Sequence, residues 1–456
     1  MRTSIWNLIP MYMCMVTPLS AQMSFTQMAA HAQAAMRAER QNNFAAAVRE
    51  YKELASALPQ SAEIQSNLGV ALYFNHELYQ AIAVFRKAIA LDPSLLAPHL
   101  FSGLAWYDLS EPAQAVQQLQ NAVQISPSNV LEHMWLGYAY TAQNQNKDAL
   151  QEFEKAVQIA PSNIDAWYQL GQVWLQVGKD TIRELFTIAP NGGRAWELAG
   201  EQCLEEGKRK AALHDFEEAE ARRPDILQLQ NFIKELGGQI SFAPVRRVSS
   251  NGEEDALYHQ ARDAEKQSRA AFERVFMLAP NSYRAHQIMA NVYAVKEEYD
   301  KAIEEYKTVI ELNPSLKGIH EAMGEVLLES GKLPAALNEF NEELKTQPRS
   351  ALANMNAGRV LLLMGNDAEA KKRLTAVLSM QHPPVDAYVL LARIESRHKN
   401  YPDVIHLLNF YISKVKNNPD AYYLLAMAYR NEGDRRQMTR YLALYEKTSQ
   451  DARQDR

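Results

Sequence analysis

Four histidines recur at a regular spacing and are the first candidates for chemistry. His133 follows His99 at the same interval at which His320 follows His286. If the protein is built from repeats as long as this interval, the two histidines of each pair would stack on one another. Two stacked imidazoles could hold a metal ion. No cysteine or carboxylate pattern completes such a site. Because Trp167 occupies the same position in its own repeat, we expect half-buried packing histidines and no metal site.

Two further features resemble chemical motifs but lack essential residues. Gly178-Lys179 and Gly331-Lys332 resemble phosphate-binding loops, yet each lysine is followed by a residue other than Ser or Thr. We interpret these glycines as turns between helices. Cys203 falls at a core-facing helical position, which predicts an inert buried thiol. The sequence therefore predicts no catalytic residues, no cofactor and no small-molecule substrate.

The composition is that of a packed globular protein. The chain has 456 residues, of which 47% are hydrophobic, and its formal net charge is -6. This acidic balance disfavours a nucleic-acid partner. The two cysteines cannot form a disulfide framework, so stability must come from packing.

An internal repeat of about 34 residues organises most of the chain. Prolines stand at positions 59, 93, 127 and 161, and glycines recur at the same interval at positions 69, 103, 137 and 171. Each repeat then carries an alanine followed one helical turn later by an aromatic, as in Ala81 and Phe85. Small residues on one helix leave room for a ring on the next, and the proline ends the second helix. Each repeat is therefore predicted to form two antiparallel helices.

This pattern resembles the tetratricopeptide repeat, whose signature is nearly complete in Trp167, Leu170, Gly171 and Trp174. About 12 such repeats extend from Met28 to roughly position 450. The resemblance implies an all-α fold, a right-handed α-solenoid in which helix pairs stack into a superhelix. It also implies that the concave face, lined by the first helix of each repeat, binds peptides or protein partners.

The repeat is interrupted at two places. The interval from Gly178 to Pro190 is shorter than the interval from Gly331 to Pro348, which predicts a shortened second helix there. Pro280 follows Pro224 at much more than one repeat length, and the extra segment is rich in Gly and Ser.

We therefore predict an N-terminal array at 28–236, a linker at 237–252 and a C-terminal array at 253–452. The second array would open with a helix pair at 256–267 and 270–278. The linker can act as a hinge, or it can be a surface insertion in one rigid solenoid.

The helical periodicity selects candidate partner-binding residues. Positions four, seven, eight and eleven of a first helix form its core face, so positions five, nine and twelve point away from it. In the third to fifth repeats these positions are rich in aromatic residues and Met, which protein interfaces favour. The predicted set is Leu100, Leu104, Tyr107, Met134, Tyr138, Tyr168 and Gln172, with Trp135 at its edge. The alternative is that neighbouring first helices bury these side chains against one another.

The C-terminal array has polar residues at the same positions, including Gln287, Asn291, Glu321 and Glu325. Arg359 and Arg393 stand at equivalent positions of two first helices in this array. They could grip a carboxylate of a partner, but salt bridges between neighbouring repeats are the preferred interpretation.

The predicted function is a non-enzymatic scaffold that binds a protein or peptide partner in the groove. The alternative is an accessory subunit of a cell-envelope machine for polysaccharide or protein export. Residues 1–21 resemble a secretory signal peptide with cleavage after Ala21, which predicts a periplasmic or secreted protein without a membrane span after cleavage. If this segment is instead a helix that caps the first repeat, the protein is cytoplasmic.

Overall fold

A computed structural model describes residues 23–205, 208–238, 252–380, 382–416 and 418–454. Every regular element in these ranges is an α-helix. The predicted leader at 1–21 lies outside them, as does most of the predicted linker at 237–252. No helix in the described ranges combines the length and the apolar character that a membrane crossing requires. The helices form two compact units, residues 1–161 and residues 162–456.

The described residues of the first unit form four antiparallel helix pairs. Each helix packs against the next one in the chain, and the first helices of consecutive pairs also contact each other from α3 onward. The helices are α1 (Phe25–Arg40), α2 (Phe44–Ala57), α3 (Ala62–Phe74), α4 (Leu78–Leu91), α5 (Leu96–Asp108), α6 (Pro112–Ile125), α7 (Val130–Ala142) and α8 (Asn146–Ile159).

Local sequence fixes where these helices begin and turn. The side chains of Ser61 and Asn129 accept hydrogen bonds from backbone N–H groups in the first turns of α3 and α7. Between the two helices of a pair, His76 and Asn144 adopt left-handed backbone conformations with φ of 60° and 58°. In later repeats a glycine such as Gly331 takes this place. The tight turn therefore recurs although its residue type changes.

The contact between a small residue and a large side chain sets the spacing of each pair. A Cβ atom added to Gly69 would lie 2.4 Å from the ring of Phe85, and one added to Gly137 would lie 2.7 Å from Phe153. Both rings are fully buried. Each ring follows its glycine at the same interval along the chain, as the repeat pattern predicts.

The second unit contains fifteen helices in its described residues. They are α9 (Ile164–Ile188), α10 (Gly193–Glu205), α11 (Arg209–Arg222), α12 (Leu227–Glu235), α13 (Gly252–Leu278), α14 (Tyr283–Val295), α15 (Tyr299–Leu312), α16 (Ile319–Glu329), α17 (Leu333–Thr346), α18 (Ala351–Leu363), α19 (Asp367–Leu378), α20 (Asp386–Arg397), α21 (Tyr401–Lys414), α22 (Pro419–Asn431) and α23 (Arg435–Gln454).

Two of these helices differ from the sequence prediction. α9 runs for 25 residues without a turn at Gly178, so the shortened second helix predicted after that glycine does not exist. α13 is one helix of 27 residues, not the predicted pair at 256–267 and 270–278. Gly178 lies inside α9 and faces α13: a Cβ atom built there would lie 3.6 Å from Cβ of Ala264, an ordinary contact distance.

α13 supplies the partner ring that α9 lacks in its own repeat. A Cβ atom on Gly171 would lie 2.6 Å from the ring of Phe272, the same contact that other repeats make. The repeat pattern places this ring at position 187, so a long insertion separates the two helices of this repeat. The Ser268 hydroxyl also donates a hydrogen bond of 2.9 Å to the carbonyl oxygen of Gly171.

The additional residues form a side branch of the array. The second half of α9 packs against the first half of α13, where Leu185, Leu257 and Tyr258 share one apolar cluster. α10 and α11 continue this branch as a further pair, with Gly200 against the ring of Phe216. α12 packs on α11. Helices α9 to α12, which the sequence assigns to the N-terminal array, thus belong to the same compact unit as α13.

Buried ion pairs join the branch to the start of α13. Arg194 donates through Nε to Asp255 at 2.7 Å and through Nη1 to Glu197 at 2.6 Å, while its guanidinium lies 4.3 Å from the centre of the Tyr258 ring. Arg223, which follows the last residue of α11, donates to Asp255 at 2.9 Å. Burial acts to raise the pKa of the Asp255 carboxyl, but the hydrogen bonds from the two arginines outweigh it and hold that pKa below its usual value.

The pairing of α9 with α13 predicts which substitution weakens the fold. Phe272→Ala should lower the free energy of unfolding by about 3 kcal/mol, because it empties the space in front of Gly171. Thr187→Ala is the matched control, since Thr187 stands where the repeat pattern places the ring but is exposed; it should cost less than about 0.5 kcal/mol. Urea unfolding followed by circular dichroism measures both. Equal losses, or a larger loss for Thr187→Ala, would contradict the pairing.

Candidate partner-binding site

Three predicted groove residues of the first unit are buried between helices. Leu100, Leu104 and Met134 each expose less than a tenth of their surface. Leu100 and Leu104 belong to the apolar cluster around α5 and α6. The structure differs from the predicted open groove at these positions, because adjacent first helices pack against each other and enclose the side chains between them.

The three aromatic members of the predicted set that lie in the first unit remain partly exposed. Tyr107 lies edge to face with Trp135, with ring centres 5.8 Å apart, and Trp135 lies in the same way against Tyr138 at 5.3 Å. We call Tyr107, Trp135 and Tyr138 the aromatic ladder. The buried ring of Phe153 packs against the ring of Tyr138, with ring centres 5.6 Å apart. The ladder joins α5 to α7 through ring contacts and presents partly exposed aromatic surface, which protein interfaces favour.

Burial also affects the polar end of the ladder. It raises the pKa of the Tyr107 hydroxyl, and the nearby charge of Asp108 acts in the same direction. The hydroxyl therefore stays protonated at physiological pH.

The sequence prediction missed two apolar side chains of the first unit. Phe74 at the end of α3 is 42% exposed and stacks on Phe44, with ring centres 5.0 Å apart. Leu131 in the first turn of α7 is 47% exposed. They occupy the thirteenth and second positions of their repeats, which the prediction did not include. Both could have been found from the sequence, because they are large apolar residues at positions that otherwise face solvent.

The two predicted residues of the second unit form part of its core. Tyr168 is buried, the guanidinium of Arg284 lies 4.4 Å from its ring centre, and Gln172 donates a hydrogen bond of 2.8 Å to its hydroxyl. Burial raises the pKa of Tyr168. The structure therefore corrects the placement of Tyr168 in an open groove: its ring packs with Phe272 and Arg284 and has little surface left for a partner.

The recurrent histidines connect the two helices of a repeat. His133 Nδ1 lies 2.6 Å from a carboxylate oxygen of Glu152, and His286 makes the same contact with Glu305. The same contact at the same sequence separation joins His320 to Glu339 and His99 to Gln118. The prediction of packing histidines is confirmed, with His99 and His133 more deeply buried than expected. Within the described ranges no three metal-binding side chains gather at one point.

Cys203 lies partly buried in the branch. Its thiol is 3.3 Å from a carboxylate oxygen of Asp215, and the side chain packs against the cluster that contains Phe216. This agrees with the predicted core-facing position, although the burial is incomplete.

Two family models match parts of the chain. The model described as TPR repeat matches residues 137–178 and 290–331, and the model described as tetratricopeptide repeat matches 33–95 and 321–370. The chain therefore contains tetratricopeptide repeats in these parts.

Solved structures of other proteins show limited similarity to this tetratricopeptide repeat protein. MamA from Desulfovibrio magneticus RS-1 is 23% identical over 33% of this chain and 85% of its own, with a TM-score of 0.32. PilF of Pseudomonas aeruginosa is 18% identical over 43% of this chain and 93% of its own, with a TM-score of 0.37. TTC0263, a thermophilic TPR protein of Thermus thermophilus, is 15% identical over 59% of this chain and 100% of its own, with a TM-score of 0.36. No curated protein matches the sequence.

Carboxylates line the first-helix face of the second unit at α16. Glu321 accepts a hydrogen bond of 3.4 Å from the Ser350 hydroxyl, and Glu325 accepts one of 3.2 Å from the amide of Asn356. Burial, together with the charges of Glu325 and Glu343, raises the pKa of Glu321 to about 7. Burial also raises the pKa of Glu325. This part of the tetratricopeptide array is thus partly buried and acidic.

The arginines farther along the array form salt bridges between repeats. Arg393 lies 2.6 Å from Asp420 of the following first helix, and Arg359 lies 3.8 Å from Glu329 of the preceding one. The predicted salt bridges between repeats are therefore confirmed. Both arginines remain nearly half exposed, and such exposed pairs contribute little to stability.

Glu321 should make the stability of the protein depend on pH. Its pKa in the fold is about 7, above the ordinary value of 4.5, so its stabilising contribution is complete below pH 4.5 and is lost as the pH rises through 7. Glu321→Gln should therefore raise the free energy of unfolding by roughly 1–2 kcal/mol at pH 8 and leave it nearly unchanged at pH 4.5. Urea unfolding at the two pH values measures this difference.

The exposed Glu273 provides the control, since Glu273→Gln should behave like the wild type at both pH values. A Glu321→Gln variant that is no more stable than the wild type at pH 8 would show that this carboxyl is not held in the environment described.

Proposed function

We propose that this tetratricopeptide repeat protein is a non-enzymatic scaffold whose first unit binds a protein or peptide partner at the aromatic ladder. The observation that carries the proposal is the partly exposed chain of contacting rings formed by Tyr107, Trp135 and Tyr138 across α5 and α7. Tyr and Trp are enriched at the energetic centres of interfaces, where they bury large areas at little entropic cost.

The surroundings of the ladder extend the apolar surface. Leu131 begins the same helix that carries Trp135 and Tyr138, and its side chain is exposed. Phe74 adds an exposed ring on α3, the neighbouring first helix of α5. Exposed apolar side chains that flank fixed aromatic rings are typical of partner surfaces.

A non-enzymatic role agrees with how the described residues are used. They form helix pairs joined by short turns, and their histidines and Cys203 make packing contacts within and between helices. The buried polar groups of the branch pair with each other in the same way. The repeats therefore supply binding surface, and any chemistry would belong to the partner.

A role as an accessory subunit of a cell-envelope export or assembly machine is the second candidate. It is favoured by residues 1–21, whose apolar run and small residues before Gln22 resemble a cleaved export signal. We propose that the mature protein is exported to the periplasm or secreted. In this role the ladder would bind another subunit of the machine.

The test uses one ladder residue and a matched aromatic outside the ladder. A tagged full-length chain captures partners from an envelope extract of the source cells, and mass spectrometry identifies them. Trp135→Ala should then weaken binding of the captured partner by about 2 kcal/mol or more. Tyr79→Ala, which removes a ring that is 63% exposed on α4, should leave binding unchanged.

Circular dichroism and the unfolding midpoint establish that both variants keep the fold. A folded Trp135→Ala variant that binds the partner as tightly as the wild type would exclude the ladder as the binding site. Capture of a synthase or secretion subunit would favour the second candidate over a general scaffold.

A further inference from the structure

We infer that the aromatic ladder recognises a cation, namely an arginine side chain on a basic segment of the partner protein. The inference rests on the function proposed above, because it concerns the partner of the same site, and it adds the chemistry by which that partner is recognised. Three observations carry it: the partly exposed rings of the ladder, a carboxylate beside them, and the distribution of basic residues in the first unit.

The second unit shows how this chain holds a cation against a tyrosine ring. The guanidinium of Arg284 lies 4.4 Å from the centre of the Tyr168 ring, and its Nε donates a hydrogen bond of 2.6 Å to Asp165. Tyr168 stands at one of the first-helix positions that the repeat pattern assigns to the groove. A ring and a carboxylate therefore act together on one guanidinium, through a cation–π contact and a charge-assisted hydrogen bond.

The side branch contains the same combination of groups. The guanidinium of Arg194 lies 4.3 Å from the centre of the Tyr258 ring and donates a hydrogen bond of 2.7 Å to Asp255. In both places an arginine of the chain itself occupies the space between a ring and a carboxylate.

The ladder offers the ring and the carboxylate, but its helices supply no cation. Asp108 follows Tyr107 at the end of α5, and its charge adds to the effect of burial in raising the pKa of the Tyr107 hydroxyl. Asp108 accepts a hydrogen bond of 2.8 Å from the Tyr73 hydroxyl of α3, and a carboxylate can accept several such bonds. The first helices α3, α5 and α7 contain neither Lys nor Arg. A cation on the ladder can therefore come from a partner.

The basic residues of the first unit lie on its second helices. All the Lys and Arg side chains of residues 41–161 belong to α2, α4 and α8, namely Arg49, Lys52, Arg86, Lys87, Lys147 and Lys155. Apart from histidines, the ionisable side chains of α3, α5 and α7 other than Tyr are Glu63, Asp108 and the buried Glu132. The first helices are thus acidic without a compensating cation, which favours a positively charged partner.

Arginine suits this surface better than an apolar side chain alone. Its guanidinium plane stacks on an aromatic ring while its N–H groups donate to a carboxylate. Trp binds cations more strongly than Tyr or Phe, and Trp135 is the central ring of the ladder. The exposed Leu131 and Phe74 can contact apolar residues of the same segment. We therefore expect a segment in which Arg and apolar residues alternate.

The test compares three short fluorescein-labelled peptides that differ in one residue type. Leu alternates with Arg in the first, with citrulline in the second and with Glu in the third. Citrulline has nearly the shape of Arg but carries a neutral urea group. The full chain is titrated into each peptide, and fluorescence anisotropy measures binding. The Arg peptide should bind about tenfold more tightly than the citrulline peptide, and the Glu peptide most weakly. Binding of the Arg peptide should weaken as salt rises.

Two substitutions separate the contribution of the ring from that of the carboxylate. Trp135→Leu keeps an apolar side chain but removes the ring, so it should weaken the Arg peptide about tenfold and the citrulline peptide much less. Asp108→Asn keeps an oxygen that can accept from the Tyr73 hydroxyl but removes the charge. It should weaken the Arg peptide about threefold and leave the citrulline peptide unchanged.

Two further variants serve as controls. Tyr79→Ala removes an exposed ring of α4 outside the ladder. Glu325→Gln removes a carboxylate of α16, the acidic surface of the second unit that could compete for a basic peptide. Both should bind the Arg peptide like the wild type. Circular dichroism and the unfolding midpoint establish that every variant keeps the fold.

Three results would overturn the inference. Equal binding of the Arg and citrulline peptides, lost in Trp135→Leu, would show that the ladder binds apolar groups; the function proposed above would then stand without its cation. No binding of the Arg peptide at about 1 mM, the weakest affinity of interest, would exclude recognition of arginine. Binding that depends on Glu325 and not on Trp135 would place the cation on the second unit. In the last two cases the partner captured from the envelope extract still tests the proposed function.

Discussion

The close contact between a small residue on one helix and a buried large side chain on the next determines the rest of the structure. Phe85, Phe153 and Phe340 each fill the space left by a glycine on the paired helix. The missing Cβ lets the two helices approach, and the buried ring holds them at one spacing. Because neither helix of a pair can bury both of its faces alone, pairs stack on pairs within each unit.

The same contact explains how one repeat accommodates a long insertion. Gly171 requires a ring in front of it, and Phe272 meets that requirement from far along the chain. α9 and α13 then continue past this repeat as a second pair that carries the α10–α12 branch. The ion pairs of Arg194 and Arg223 with Asp255 fix the branch where the first half of α13 begins. The insertion is tolerated because the interface of the interrupted repeat is preserved.

The sequence predicts most of the fold because the repeat signature encodes both partners of each contact at a fixed separation. It fails at α9 and α13, where the partner ring is displaced; Gly178 then resembles a turn glycine although it lies inside a continuous helix. Helical periodicity likewise cannot tell whether Leu100 and Met134 face solvent, since the distance to the neighbouring helix is a tertiary property. The link from His133 to Glu152, by contrast, follows a spacing that recurs in other repeats and that the sequence already contains.

The most direct test of this account is a disulfide between α9 and α13. A Cβ atom at Gly178 would lie 3.6 Å from that of Ala264, which suits a disulfide. In a chain with Cys14 and Cys203 replaced by Ser, Gly178→Cys with Ala264→Cys should form an intramolecular bond under mild oxidation, detected by mass spectrometry. The control pair, Lys179→Cys with Ala264→Cys, should form it far more slowly because Lys179 points away from α13 into solvent. Equal rates for the two pairs would contradict the pairing of α9 with α13.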